Sequence, residues 1–356
     1  MLDVIVVGAG PSGSSAAYEL AKTGLSVTLI DKEDFPRDKP CGGGLTNKTL
    51  NRLNVDVSGI VERHSNSMEL TYCMKKAVTA PDLGVFCNMV QRPMFDTFLR
   101  DTAVNAGAVF KKVGRIEAVS HYRNHIDITL ENGEAISARW LIAADGAKSR
   151  IRRLVHNKKV VSQAFALEGK APLDKNQKVS FDFFVVPWGY GWVFPKGDHH
   201  NVGIITFNRK IKISHKELQE YCQAKLGHTN LSEVVGHPLG IGPHNGALGI
   251  RRILFVGDAA GNVEPLLGEG IHNAIYSGQK AAKAISKGGT TWLVHFRYWF
   301  TMQRQRLDIA TSHNLALAFY RFPRLGWFFL SQKWFLRKLM AGFVNGERLD
   351  TSIRGF

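Results

Sequence analysis

The residue types that chemistry needs appear at once in this chain. Gly8-Ala9-Gly10-Pro11-Ser12-Gly13 follows a short β-branched run, Asp3 to Val7, and leads into Ser14 to Thr23, which reads as a helix ended by Gly24. A second apolar run, Leu25 to Ile30, closes on Asp31, so the segment predicts a βαβ unit with an acid at the distance a dinucleotide site requires. Gly8 permits the tight turn, Gly10 lets the backbone approach a pyrophosphate, and Gly13 lets helix and strand pack closely. The helix N-terminus then faces the phosphates. Asp31 accepts a hydrogen bond from a ribose 2′-OH and repels a 2′-phosphate, which favours FAD or NAD over NADP here.

Two later segments repeat the strand-then-acid pattern. Trp140 to Ala144 is an apolar strand ending in Asp145-Gly146, with a basic helix start through Ser149, Arg150 and Arg152. Ile253 to Val256 ends in Gly257-Asp258 and continues through Glu264-Pro265 to Gly268-Glu269-Gly270-Ile271 and another helix. A carboxylate at a parallel strand end, as at Asp258, can bind ribityl hydroxyls, while the following helix start offers backbone N–H groups to a pyrophosphate. Gly268-Glu269-Gly270 lets backbone amides approach the N1/O2 edge of a flavin, where negative charge collects on reduction.

The order GAGPSG, AADGAKSR, FVGDAAG resembles the FAD-dependent oxidoreductases of the para-hydroxybenzoate hydroxylase fold. Within them, Pro36-Arg37-Asp38-Lys39-Pro40-Cys41-Gly42-Gly43-Gly44-Leu45 and Pro187-Trp188-Gly189-Tyr190-Gly191-Trp192-Val193-Phe194-Pro195 are similar to the geranylgeranyl reductase family, the second following its P-x-x-Y-x-W-x-F-P pattern at each specified position. The resemblance implies FAD held by Gly8, Gly10, Gly13, Asp31, Lys32, Arg37, Cys41, Gly42, Gly43, Gly257, Asp258, Gly268, Glu269, Gly270 and Ile271. It also places Asp145 near the cofactor. Arg92 precedes Pro93 at the start of a helix expected over Pro93 to Asn105; the family fold often puts an arginine here against the flavin phosphates, and the competing reading is a solvated helix-start cation.

The elements that would position a substrate lie between the second and third FAD motifs. Lys178 to Val186 alternates, with Val179, Phe181, Phe183 and Val185 on one face, and Gly191 to Pro195, a Lys196-Gly197-Asp198 turn and His200 to Phe207 read as a hairpin. Ser214 and Glu217 form an S-x-x-E box before a helix from Leu218 to Leu226. An aromatic sheet face suits an isoprenoid chain, whose burial contributes roughly 0.8 kcal/mol per CH₂. Phe181 and Phe183 read rather as sheet core. Tyr190 and Trp192 share a strand face and are better candidates for a pocket. A hydride adds poorly to an isolated alkene without a proton donor, and Cys41 and Tyr190 are the candidate donors, with Trp192 beside them. For Cys41 a small packing residue is the plain alternative. Glu269 and His272 could instead merely set their loop.

Composition bounds the rest. The chain has 356 residues, 44% hydrophobic and 21% charged, which is a globular balance and excludes a wholly disordered or fibrous protein. Cys41, Cys73, Cys87 and Cys222 form no C-x-x-C, so neither a disulfide framework nor a zinc ribbon is indicated, and His199-His200 would point to opposite strand faces, so no metal is expected. No run approaches the roughly 18 apolar residues that span a bilayer and no secretory leader is recognisable, so we expect a cytoplasmic protein. Lys and Arg number 46 against 30 Asp and Glu, a formal charge of +16. Residues 292–356 hold ten of these cations against Asp308, Glu347 and Asp350, interleaved with Trp and Phe. Short basic aromatic helices fit either the interface of an anionic membrane, at its inner face, or a cap on the substrate sheet. No recognised fold or stacking motif supports nucleic acid.

The expected fold class is α/β: a Rossmann-like FAD domain with a parallel sheet (1–72, 91–158 and 246–291), an inserted antiparallel sheet domain (73–90 and 159–245) and a helical C-terminal region (292–356). The expected activity is an FAD-dependent reductase that saturates prenyl double bonds of an isoprenoid lipid. Its electrons would come from NADPH bound transiently or from a ferredoxin-like donor, since no second nucleotide fingerprint is visible. A flavin monooxygenase or halogenase on the same fold, and a non-catalytic FAD-containing binding protein, are the competing classes.

Overall fold

A computed structural model describes residues 1–80, 84–156, 164–174, 177–241 and 248–346. The chain divides into two compact units, one of residues 1–38, 93–162 and 239–313, the other of 39–92, 163–238 and 314–356. These breaks differ from the boundaries drawn on sequence. Residues 39–72 fall with the second unit, because Met68–Tyr72 pairs with Val179–Phe183 in its large sheet, and 292–313 fall with the first.

The first unit is built on a sheet whose parallel strands run in the order Ile253–Phe255, Ala135–Ala143, Leu2–Val7, Val27–Asp31 and Val109–Lys112. Strand alternation divides its apolar residues between two cores. Val4, Val6, Leu29, Ile142 and Leu254 meet helices Pro11–Ala21 and Ile271–Ser286 on one side, and Ile5, Val7, Ile30, Leu141 and Phe255 pack on the other. The two helices cross so closely that a Cβ on Gly278 would lie 2.1 Å from the Ser12 carbonyl oxygen. Ile116–His121 and Ile126–Leu130 extend the sheet antiparallel from Ala135–Ala143.

The second unit carries a seven-stranded sheet, ordered Ser232–Leu239, Ala164–Pro172, His199–Thr206, Gly189–Pro195, Val179–Phe183, Met68–Tyr72 and Lys76–Thr79. The hairpin is Gly189–Pro195 with His199–Thr206, and one pairing, Val179–Phe183 with Met68–Tyr72, is parallel. One face of the sheet is aliphatic and takes the helix His215–Leu226, whose N-terminus has the Ser214/Glu217 capping box. The other face is aromatic.

The C-terminal segment is not a set of short helices only. Thr291–Arg321 is one helix of 31 residues, followed by Pro323–Leu330 and Lys333–Asn345. The sequence pattern hides its length because Trp292, Phe296 and Phe300 place apolar side chains on the outward face as well. Among the described residues no helix is long and apolar enough to cross a membrane. Glu347, Arg348, Asp350 and Arg354 of the basic tail lie outside the described residues.

Candidate functional site

The glycine turn of the first unit is fixed by contacts that no side chain could share. A Cβ on Gly8, whose φ is +101°, would lie 2.4 Å from the Ala144 carbonyl oxygen, and one on Gly13 would lie 1.8 Å from the Gly8 carbonyl oxygen. Gly10 is different: a Cβ there would meet only the Arg37 guanidinium, at 3.5 Å, so this glycine keeps space open rather than filling it. The helix behind it, Pro11–Ala21, has neither a side-chain cap nor an acid in its first turn. Its N-terminus is therefore available to an anion. Asp31 ends its strand, and its carboxylate accepts the Ala9 N–H at 2.7 Å and the Glu33 N–H at 3.1 Å. Each oxygen retains a second lone pair for a ribose hydroxyl.

Arg37 stands beside this turn. Asp96, fully buried, pairs with its guanidinium at 3.2 Å, and the guanidinium lies over the Phe35 ring. Its Nε is buried without a partner. An unsatisfied guanidinium donor, an open glycine and an uncapped helix start together fit a pyrophosphate. Lys32 instead pairs with Glu33 at the exposed surface.

Asp145 and Asp258 follow the ends of adjacent parallel strands in the same unit. Asp145 accepts the Ile151 N–H at 2.9 Å and so caps the helix Arg150–His156; burial pushes its carboxyl above the usual range. Arg152 lies over the Phe255 ring and donates from Nε to the Ala259 carbonyl at 2.8 Å. Gly257, at φ +56°, opens the short helical turn that holds the half-buried Asp258. The Gly268-Glu269-Gly270 turn before Ile271 is drawn together by Glu264, whose carboxylate takes the Leu266 and Leu267 N–H groups at 2.8 and 2.7 Å.

In the second unit the rings of Tyr190, Trp192 and Phe194 share one sheet face with Phe181 and Phe183. Glycines allow close packing on both faces: a Cβ on Gly191 would strike the Tyr221 ring of the helix on the aliphatic side, and one on Gly203 the Trp192 ring. Phe319, Tyr320 and Trp327 pack onto the edge of this face against Phe183, Phe184, Phe207 and Tyr72. Phe322, Leu325, Phe328 and Trp334 are exposed. The C-terminal helices thus cap the sheet with one set of side chains and present another outward.

The Cys41 loop lies on that aromatic face. Its Cys41 N–H donates to Glu168 at 2.8 Å, a Cβ on Gly42 would meet the Phe194 ring at 2.5 Å, and Gly43, at φ +64°, donates its N–H to the Cys41 sulfur at 3.4 Å. Lys196 donates to the Gly42 and Val90 carbonyls. Asn201 bridges Glu168 and the Trp192 indole, donating to the first at 3.1 Å and accepting from the second at 2.7 Å. Burial raises the Glu168 carboxyl and lowers the Lys196 ammonium from their usual values, while the charges of Lys196 and the buried Arg92 partly offset the first shift. Arg92 opens a helix that starts one residue earlier than expected, Arg92–Asn105.

Sequence reasoning passes over Glu168, Asn201, Lys196 and Asp96. Two signals existed: Glu168 ends the apolar run Ala164–Leu167, and Lys196 directly follows the Pro187–Pro195 motif.

Residues 1–176 match the FAD binding domain family. The chain is 32% identical over 323 residues to digeranylgeranylglycerophospholipid reductase 2 of Methanosphaera stadtmanae, covering 80% of this chain and 79% of that one. It is 31% identical over 354 residues to menaquinone reductase of Mycobacterium tuberculosis, covering 90% and 85%. The chain belongs to the geranylgeranyl reductase family of FAD-dependent proteins. Its fold agrees: a geranylgeranyl bacteriochlorophyll reductase-like protein of Thermoplasma acidophilum superposes with a TM-score of 0.79 at 25% identity, covering 88% of this chain and 87% of that chain.

Proposed function

We propose that the protein saturates C=C bonds in the prenyl chain of an isoprenoid lipid. The observation that carries this reading is the aromatic sheet face bearing Tyr190 and Trp192 with the Cys41 loop laid on it. The relatives named above act on a digeranylgeranyl glycerophospholipid and on menaquinone, two lipids that share a prenyl chain but not a head group. An apolar wall reads the shared part. When bound, reduced FAD supplies a hydride at its N5.

The protein's residues divide the remaining work. Gly8, Gly10, Gly13 and Arg37 hold the pyrophosphate, Asp31 the adenosine ribose and Asp258 the ribityl chain, with Gly268, Glu269, Gly270 and Ile271 at the electron-accepting edge. We assign proton delivery to Cys41 or Tyr190, and exclusion of water to Tyr190 and Trp192. Electrons arrive from NADPH or a ferredoxin-like donor. The exposed Phe322, Leu325, Phe328 and Trp334, within a basic segment, suit the interface of an anionic membrane where such a lipid resides.

Mass spectrometry of lipids from cells with and without the protein tests the reading. It expects a lipid class whose prenyl chains carry pairs of added hydrogens only when the protein is present. Prenyl chains equally unsaturated with and without the protein, together with an oxygenated or halogenated product found only when it is present, would assign the chain to the monooxygenase or halogenase class on the same fold.

A further inference from the structure

Glu168, Asn201 and Lys196 are 7%, 7% and 3% exposed, on the sheet face that carries the aromatic rings. Burying a carboxylate and an ammonium is costly, and Val or Ile at these positions would serve the sheet as well. Two of them bond instead to the backbone of one loop, and the third holds one of those two. Glu168 takes the Cys41 N–H, Lys196 takes the Gly42 carbonyl and ties it to that of Val90, and Asn201 links Glu168 to the Trp192 indole. The loop cannot hold itself by packing, since Gly42 and Gly43 have no side chains and Gly42 must admit the Phe194 ring.

We propose that Glu168 and Lys196 are positioning residues that clamp the Cys41 loop from its N–H and its C=O side, and that Asn201 registers this loop against Trp192. The proposal deepens the reductase reading, because it matters for turnover only if Cys41 serves that reaction. Glu168 acts as a hydrogen-bond acceptor, so glutamine, which keeps an acceptor oxygen, can replace it and alanine cannot.

The test uses FAD-loaded protein with Glu168→Ala, Glu168→Gln and Lys196→Met. Iodoacetamide labelling of Cys41 is followed by peptide mass spectrometry, with the half-exposed Cys73 as internal reference. The same samples are assayed anaerobically with dithionite and geranylgeranyl diphosphate. Glu168→Ala is expected to change the Cys41 labelling rate about tenfold relative to Cys73 and to lower kcat by up to about 10²-fold with KM within about threefold, as a displaced reacting group would. Glu168→Gln is expected to restore both to within about threefold. Lys196→Met should act like Glu168→Ala, and decides the matter if that variant does not fold. Unchanged labelling in Glu168→Ala or Lys196→Met would overturn the clamp, and so would Glu168→Gln as impaired as Glu168→Ala. If the unsubstituted protein leaves geranylgeranyl diphosphate unreduced, the reductase reading loses support while labelling still decides the clamp.

Discussion

Arg37 shows how a single side chain ties the glycine turn to the core. Its guanidinium pairs with the buried Asp96 and keeps Nε in reserve, so Arg37→Gln is expected to weaken FAD binding about tenfold or more by removing a charge-assisted donor. Flavin fluorescence titration of the apoprotein measures this, and an unchanged Kd would remove Arg37 from the site. His200 makes a separate, pH-dependent contribution. Its buried Nε2 accepts the Asp174 N–H, and burial pushes its pKa down to about 4. An unfolded histidine titrates near 6.5, so between these values the unfolded chain binds more protons and stability falls as pH falls. Thermal melts should show Tm dropping from pH 7 to pH 5, less steeply in His200→Gln. At this scale the sequence is legible wherever chemistry is local. Gly8, Gly10, Gly13 and Asp31 declare themselves by spacing, whereas Glu168 meets Cys41 across 127 residues and Lys196 meets Gly42 across 154, separations that leave no periodic trace.

Among the elements, the crossing of Pro11–Ala21 with Ile271–Ser286 sets the shape of the glycine turn. Gly278→Ala would push a methyl group against the Ser12 carbonyl, with an expected loss of about 1–3 kcal/mol in stability. Denaturant melts measure it, and a neutral result would mean the helices separate freely. The hairpin Gly189–Pro195 with His199–Thr206 is readable from alternation and its turn, as is the capped helix His215–Leu226. Helix Thr291–Arg321 is not, since rings on its outward face mask the stripe of Val294, Tyr298, Met302 and Ile309 that it buries. Tyr320 and Trp327 cap the sheet, so deleting residues 315–338 would expose its aromatic face; point changes test the membrane reading better. Phe322→Ser with Phe328→Ser and Trp334→Ser should abolish flotation with phosphatidylglycerol vesicles while FAD stays bound. Undiminished flotation would place the membrane contact elsewhere.

For the whole molecule, the charge of +16 predicts that any vesicle binding weakens steeply as salt rises from low to physiological concentration, because screening shortens the reach of the basic surface. The α/β class and the FAD fold follow from three motifs in order, yet the division into units does not, since Met68–Tyr72 joins its sheet by pairing with a strand more than a hundred residues later. The proposed reaction passes electrons from the flavin to a prenyl double bond. Under nitrogen, dithionite-reduced protein freed of excess reductant and mixed with geranylgeranyl diphosphate should recover the oxidised flavin spectrum, with one pair of hydrogens gained by the lipid per flavin reoxidised. A flavin that stays reduced with this and every other prenyl lipid until oxygen is admitted would rule that reaction out.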